Sequence, residues 1–195
     1  MEINQTLRID EFTAQLASAE PTPGGGGAAA LVGAQAAALA EMAARVTAKS
    51  PRHVQAAGEM RTMAAEAAEL RRGMLELIAA DAQAFAALMA AWRLPREDGT
   101  REATIQAATV EATEVPLLLA EQAAQAVALA LALCDKVTAG IRADAELAVL
   151  FGRAAVEGAL HNVRVNAEVC RDADRKAAWD KRVRTLRSLA EMDAV

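Results

Sequence analysis

The segment at positions 21–40, "PTPGGGGAAALVGAQAAALA", joins four consecutive glycines to a run of residues that is mostly alanine. Alanine has the highest helix propensity, and its small side chain allows neighbouring helices to approach closely. The two prolines before the glycines fix the backbone and remove hydrogen-bond donors, so a preceding helix ends there. The segment therefore predicts a rigid turn followed by a closely packed helix that starts near Gly26.

The composition of the whole chain predicts an all-α fold. Of the 195 residues, 54% are hydrophobic but only 3% are aromatic, so strand-favouring residues are sparse. Apolar residues recur every three to four positions and divide the chain into about six helices. A long third helix is predicted over 52–92, and Pro116 kinks or divides a fourth that starts near Thr100. We expect one domain over 1–195, an antiparallel helical bundle.

Charge and cysteine content disfavour several classes of protein. A net charge of −5 argues against a nucleic-acid partner, and two cysteines without a CxxC motif indicate no metal site and no prosthetic cofactor. Reduced thiols and the absence of a signal-peptide pattern at the N-terminus predict a cytoplasmic protein. The apolar stretch 25–40 is expected to be too short and too weakly lipophilic to span a bilayer, so no membrane partner is predicted.

The first of two candidate polar features is Asp81, which lies on an apolar helix face. It follows Ile78 by three residues and precedes Phe85 by four, on the stripe of the third helix. An unpaired buried charge is costly, and carboxylates on such faces often belong to functional sites. Two interpretations stay open: Asp81 is catalytic, or it pairs with an arginine or caps a neighbouring helix.

A pair of asparagines forms the second polar feature. Asn162 and Asn166 are four residues apart and share one helix face, and Asp144 shares it from five turns earlier. The two amides either contact a ligand or bond between helices.

The glycines themselves allow two interpretations. No lysine and serine or threonine follow them as in a phosphate-binding loop, and no strand precedes them as in a dinucleotide fold. A helix N-terminus with free N–H groups remains, which favours anionic or electron-rich ligands, and glycine lets a flat ligand approach the backbone. The alternative is that the glycines permit a tight helix crossing.

Four segments resemble the cyclodeaminase/cyclohydrolase family. They are "LASAEPTPGGGGAAALVGAQAAALAEM" (16–42), "IAADAQAFAALMAAWRLP" (78–95), "IQAATVEATEVPLLLAE" (105–121) and "ALHNVRVNA" (159–167). The resemblance covers nearly the whole chain. It implies a helical homodimer that binds tetrahydrofolate derivatives as substrates.

Two loops depart from the family's usual pattern. The family tends to have Asn-Leu-Thr-x-Gly-Lys-Lys after the second helix, whereas this chain has Arg45 in place of the asparagine and Lys49 one position before the expected lysine. Before the fifth helix, only Asp144 of the family's Gly-Asn and Ser-Asp pattern is kept.

The leading functional hypothesis is a 5,10-methenyltetrahydrofolate cyclohydrolase that forms 10-formyltetrahydrofolate. The alternatives are a formiminotetrahydrofolate cyclodeaminase and a non-catalytic folate-binding or scaffold homologue. The candidate catalytic residues are Asp81, Asp144 and Lys49, the last also a partner for the glutamyl carboxylate. The candidate substrate-binding residues are Pro23, Gly24, Gly25, Gly26, Gly27, Asn162 and Asn166.

Overall fold

The computed structural model describes residues 8–191, and this part of the chain holds six α-helices and no strand. They are Ile9–Leu16 (α1), Gly25–Ala48 (α2), Ala57–Trp92 (α3), Arg101–Cys134 (α4), Arg142–Ala167 (α5) and Ala173–Glu191 (α6). Short 3₁₀ helices at Pro51–Ala56 and Ala139–Ile141 precede α3 and α5. The prediction of an all-α fold with about six helices is confirmed, while the single domain and the homodimer stay predictions.

Helix α2 packs against α3, α4 and α5 and leaves one face exposed. Its middle glycine shows how closely these helices approach. A Cβ atom at Gly33 would lie 2.6 Å from Met74 Sδ on α3 and 3.3 Å from Ala155 Cβ on α5. Five alanines of α2 are completely buried, namely Ala30, Ala37, Ala40, Ala43 and Ala44. Small side chains therefore make the position of α2 possible, because larger ones would push its neighbours apart.

Helix α4 continues through Pro116, so the proline does not divide it. Proline has no N–H to donate to the carbonyl oxygen four residues earlier, which here belongs to Ala112. Asn166 on α5 donates from Nδ2 to that oxygen over 2.6 Å. The amide of a different helix thus replaces the missing backbone donor.

Helix α6 docks on α4 through one buried tryptophan and one arginine. Trp179 is 2% exposed, and its Nε1–H donates to Glu114 Oε1 over 2.7 Å. Arg182 binds Glu114 and Glu121 at 2.9 and 2.6 Å. The basic segment of α6 therefore presents one face to the core and pairs part of its charge there.

Three helical segments are long and apolar enough to cross a membrane by length and composition: Gly25–Ala48, Pro51–Trp92 and Arg101–Cys134. We expected the apolar stretch after Gly25 to be too short and too weakly lipophilic to span a bilayer. By length and composition this expectation is wrong, because α2 continues to Ala48, has 24 residues and reaches a mean hydropathy of 1.3. Of the most apolar windows in these segments, 61%, 33% and 56% of the residues are buried inside the protein. The absence of a membrane partner remains a prediction.

Candidate functional site

A pocket of about 220 Å³ lies where the start of α2 meets α3 and the end of α5. Its lining brings together several residues that the sequence singled out separately. The lining residues are Pro21, Thr22, Gly24, Gly25, Gly26, Asp81, Ala84, Phe85, Ala112, Asn162, Val165 and Asn166. Three glycines, one carboxylate and two amides thus surround one small cavity.

The first turn of α2 is built around the carboxylate of Asp81. Gly24 at the N-cap has no side chain to cap the helix, which leaves backbone N–H groups without partners. Asp81, on α3, accepts a hydrogen bond from the backbone N–H of Gly27. A Cβ atom at Gly26 would lie 2.5 Å from Asp81 Cγ and 2.7 Å from its Oδ2. Glycine is therefore required at position 26 for the carboxylate to reach the helix end.

The pKa of the Asp81 carboxyl is raised above its ordinary value of 3.8. Burial is the larger influence and raises the pKa, whereas the hydrogen bond from Gly27 lowers it. No ion pair joins Asp81 to a cation among residues 8–191. Of the structural alternatives, the described chain shows the helix cap and not the pairing with arginine.

Each asparagine uses its Nδ2 group within the protein. Asn162 donates to Gly158 O over 2.9 Å, and Asn166 donates to Ala112 O over 2.6 Å. Asn162 also lies beside the glycine turn, since a Cβ atom at Gly25 would be 3.9 Å from its Nδ2. Each Nδ2 group has two N–H donors and uses one of them here, so each asparagine keeps one N–H and its Oδ1 for a hydrogen bond to a ligand.

Pro23 and Gly27, both candidate substrate contacts, lie behind the pocket wall and do not line it. Pro23 is buried and follows a cis peptide bond from Thr22. A Cβ atom at Gly27 would lie 3.4 Å from Pro23 Cβ and 3.8 Å from Ile78 Cγ2. These two residues support the shape of the turn by packing against it.

Lys49 and Asp144 lie at the opposite end of the helical core from the pocket of their own chain. Lys49 is exposed at the end of α2, whose 24 residues extend for roughly 36 Å at 1.5 Å per residue. Asp144 is in the first turn of α5, about 27 Å along that helix from Asn162. Sharing a helix face therefore did not place Asp144 in the same cavity, because five turns separate the two residues.

Sequence reasoning missed several lining residues, above all Phe85 and Thr22. Phe85 is half-buried and follows Asp81 by one helical turn, so the i, i+4 spacing was the available signal. Its ring gives the cavity an apolar wall, while Thr22 adds a hydroxyl group. The lining contains no lysine, arginine or histidine. A flat, positively charged heterocycle suits a cavity of this kind, because an aromatic ring and one carboxylate face it.

Among residues 8–191, no three histidine, cysteine, aspartate or glutamate side chains come together as a metal-binding group. Both cysteines, Cys134 and Cys170, are buried free thiols.

Comparison with known proteins connects this geometry to one group of enzymes. The chain is 36% identical to a methenyltetrahydrofolate cyclohydrolase of Methylorubrum extorquens over 185 residues, which cover 93% of this chain and 88% of that protein. It is 30% identical to the formimidoyltransferase-cyclodeaminase of Sus scrofa over 94% of its own length. It spans only 35% of the length of that relative.

A solved structure and a family match agree with these relatives. The formiminotetrahydrofolate cyclodeaminase of Thermotoga maritima superposes with a TM-score of 0.90 at 25% identity, covering 96% of this chain and 91% of that one. Residues 8–185 match the family described as formiminotransferase-cyclodeaminase. The match confirms the resemblance read from the sequence, and the chain belongs to the formiminotransferase-cyclodeaminase family.

Proposed function

We propose that this chain is a 5,10-methenyltetrahydrofolate cyclohydrolase that produces 10-formyltetrahydrofolate. The observation that carries the proposal is the Asp81 carboxylate, held at the start of α2 in a pocket whose lining has no cationic side chain. The relative named as this cyclohydrolase matches over most of both chains, which supports the same choice.

The chemistry of the substrate fits a carboxylate at this place. The methenyl carbon lies between two nitrogens that share a positive charge, and a nearby carboxylate stabilises that charge. Water adds to the methenyl carbon, and the bond from this carbon to N5 then breaks. Of the two protons of water, one ends on N5 and one is released to solvent, which balances the loss of the substrate's charge.

Asp81 acts as the general base in this scheme. It accepts a proton from the attacking water, and a raised pKa makes its carboxylate a stronger base than an exposed aspartate. The Oδ1 atoms of Asn162 and Asn166 accept hydrogen bonds from the N–H groups of the pterin ring. The exposed backbone of Gly24, Gly25 and Gly26 forms the surface on which the ring lies.

A second candidate is formiminotetrahydrofolate cyclodeaminase, which the similarity to the Thermotoga maritima structure favours. In that reaction N5 carries a protonated, positively charged formimino group, N10 attacks its carbon, and ammonia leaves as the methenyl cation forms. Asp81 would then carry a proton from N10 to the departing nitrogen. The third possibility is a folate-binding homologue without catalysis.

One assay separates these candidates. The purified chain is mixed with 5,10-methenyltetrahydrofolate, and the loss of its absorbance is compared with the rate in buffer alone. The same instrument follows formation of the methenyl compound from 5-formiminotetrahydrofolate. We expect the first reaction to be the faster. Binding of 5-formyltetrahydrofolate without turnover of either substrate would instead identify a non-catalytic homologue.

We further propose that the chain works in the cytoplasm as a homodimer of antiparallel helical bundles. Support comes from the apolar residues that α2 leaves exposed, among them Met42 at 38% and Val46 at 44%. Sedimentation at micromolar concentration measures the assembly directly.

A further inference from the structure

Pro116 lies beside the wall of the pocket but does not line the pocket itself. It is buried in α4, about one helical turn after Ala112, which does line the pocket. A proline inside a helix crowds the carbonyl group four residues earlier and cannot donate a hydrogen bond to it. The carbonyl oxygen of Ala112 therefore lacks its helical N–H donor at a position that faces the site.

The Ala112 carbonyl determines which way the Asn166 amide is turned. A rotation of the amide by 180° exchanges its NH₂ group and its oxygen, so either could face α4. A carbonyl oxygen only accepts hydrogen bonds, and the atom that meets Ala112 O at 2.6 Å is accordingly Nδ2. This contact excludes the orientation with Oδ1 towards α4. Oδ1 thus remains available to accept a hydrogen bond from a ligand.

A second amide holds the end of α5 against α4. Gln106 Nε2 donates to Val169 O over 3.2 Å, and Gln106 Oε1 accepts from the backbone N–H of Arg171 over 2.8 Å. These bonds fix the chain that follows Asn166. The freedom that remains at Asn166 is the rotation of its side chain, and the bond to Ala112 O removes it.

Asn162 differs from Asn166 in this respect. Its Nδ2 donates to Gly158 O over 2.9 Å, within α5. A carbonyl inside an α-helix already accepts the backbone N–H of the residue four positions later, so Gly158 O does not depend on the side chain. Ala112 O has no such donor, because the residue four positions later is Pro116. Orientation by an acceptor that lacks its backbone donor is therefore particular to Asn166.

We propose that Pro116 is a positioning residue for ligand recognition: because it gives no N–H to Ala112 O, it holds the Asn166 amide with Oδ1 available to an N–H group of the ligand. With any other residue at position 116, the backbone would supply that N–H and the amide could take both orientations. One of them would present an N–H to an N–H of the ligand. That the ligand carries such groups rests on the proposed folate substrate, whose pterin ring has them.

The first experiment tests the orientation without a ligand. Pro116→Ala and Pro116→Val both restore the backbone N–H but differ in side-chain volume. Nuclear magnetic resonance follows the two Nδ2 hydrogens of Asn166, which are assigned by their loss in Asn166→Ala. One of them should exchange with solvent at least about fivefold more slowly in the wild type than in both variants, as expected for one hydrogen bond. Equal exchange rates in all three proteins would overturn the proposal.

The second experiment measures affinity for 5-formyltetrahydrofolate by calorimetry. Both Pro116 variants should bind this probe about fivefold more weakly than the wild type, the scale of one hydrogen bond. Gly58→Ala is the control, because it also gains helix propensity and its new Cβ atom meets nothing within 4 Å. Its affinity should be unchanged. Weaker binding by Pro116→Ala alone would indicate a cavity left by the smaller side chain and would refute the proposal.

The same binding assay shows whether Pro116 acts through Asn166. In an Asn166→Ala background, Pro116→Val should cause no further loss of affinity. A second fivefold loss there would show a different route and refute the proposal. If turnover is measured, Pro116→Val should raise KM by about fivefold and leave kcat within about twofold, since Asp81 is unaffected.

The two measurements keep this proposal separate from the proposed function. A wild type that does not bind 5-formyltetrahydrofolate would overturn the folate substrate and the contact with the pterin ring. The exchange rates need no ligand and would still decide whether Pro116 orients the amide. Slow exchange in the wild type together with equal affinity of the wild type and both Pro116 variants would show that the orientation exists but does not serve binding, which would also refute the proposal.

Discussion

At its first turn α2 consists of glycines pressed against the Asp81 carboxylate, whereas at its last turn it ends in exposed Arg45 and Lys49 beside a wide basic cavity. The first end is determined by contacts of a few ångströms, so one added methyl group disturbs it. The second end borders open space, so we expect changes at its exposed residues to disturb little within the chain. Close contact within the chain thus distinguishes the end of the helix that borders the candidate site, and open surface distinguishes the other end.

The largest loss of turnover should come from adding one carbon atom at the first turn of α2. In Gly26→Ala the new Cβ atom would lie 2.5 Å from Asp81 Cγ, so the carboxylate must leave the helix end. We expect turnover to fall by about 10³ and unfolding free energy by about 1–3 kcal/mol. Enzyme assay and urea unfolding measure the two effects.

Gly58→Ala, in the first turn of α3 near the basic end, is the matched control. A Cβ atom there meets nothing within 4 Å. This variant should keep full turnover and gain up to about 1 kcal/mol of stability from helix propensity. If Gly58→Ala lost as much turnover and stability as Gly26→Ala, the close contacts at the first turn of α2 would not explain the effect.

Removing the charge of Asp81 should have the next largest effect. Asp81→Asn keeps an acceptor for the Gly27 N–H but no basic carboxylate, so turnover should fall by about 10² or more. Near neutral pH its thermal unfolding temperature should be at or above that of the wild type, because the amide avoids the cost of burying the charge.

Asp144→Asn, at the far end of α5, serves as the comparison because Asp144 is the other carboxylate that the sequence suggested. Turnover of this variant should remain within about threefold of the wild type, as for a residue that touches no reacting atom. Wild-type turnover in Asp81→Asn would exclude Asp81 from the mechanism and return attention to Asp144.

The pH dependence should reflect the raised pKa of Asp81. As a base the carboxyl works only when ionised, so kcat/KM should fall as the pH falls through its pKa, with a midpoint above 3.8. This acidic limb should be missing from the residual activity of Asp81→Asn. A midpoint at or below 3.8 would contradict the assignment.

The free energy of unfolding should also depend on the pKa of Asp81. Catalysis needs the ionised carboxylate, whereas the folded state is favoured by the protonated form. The folded protein holds the Asp81 proton at pH values where the unfolded chain has released it, because burial raises the folded-state pKa. The stability that this proton contributes is present below 3.8 and is lost as the pH rises through the folded-state pKa. Urea midpoints measured over this pH range should therefore shift in favour of Asp81→Asn as the pH increases.

The smallest effect is expected for Asn166, a residue of the pocket wall, and it is an effect on stability. Asn166→Ala leaves Ala112 O without its donor and should lower stability by about 1–2 kcal/mol. In a Pro116→Ala background the backbone supplies an N–H to that oxygen, so the same change should have little effect. A double-mutant cycle by urea unfolding measures this coupling, and additive changes would show that Asn166 does not compensate for the proline.

Local periodicity was enough to predict the helices, because it follows directly from which side chains are buried, but it placed the start of the third helix too early. That helix was predicted over 52–92, whereas 51–56 form a 3₁₀ helix with non-helical backbone at His53 and α3 starts at Ala57. Trp92 and Cys134 end α3 and α4 where the apolar stripes end. Periodicity could not predict that α4 continues through Pro116, since the N–H group that donates to Ala112 O belongs to Asn166 on another helix.

The candidate site was only partly predictable. Gly26, Asp81 and Asn162 each stood out as unusual for an apolar helix, and the structure brings all three to one cavity. Their mutual contacts were invisible in the sequence, because they depend on how three helices cross. Helix-face arguments also ignore distance along the axis, which is why they grouped Asp144 with residues about 27 Å away.

The buried Trp179 can serve as an intrinsic fluorescence probe of the docking of α6. Its indole is enclosed between α4 and α6, whereas the chain's other tryptophan, Trp92, is 44% exposed and lies 5.5 Å from the Arg101 guanidinium carbon. An enclosed indole fluoresces at shorter wavelength than one in water, so the two emissions are separable by solute quenching. Undocking of α6 would shift only the short-wavelength emission of Trp179 to longer wavelength. The rate at which α6 detaches could thus be measured while the rest of the protein stays folded.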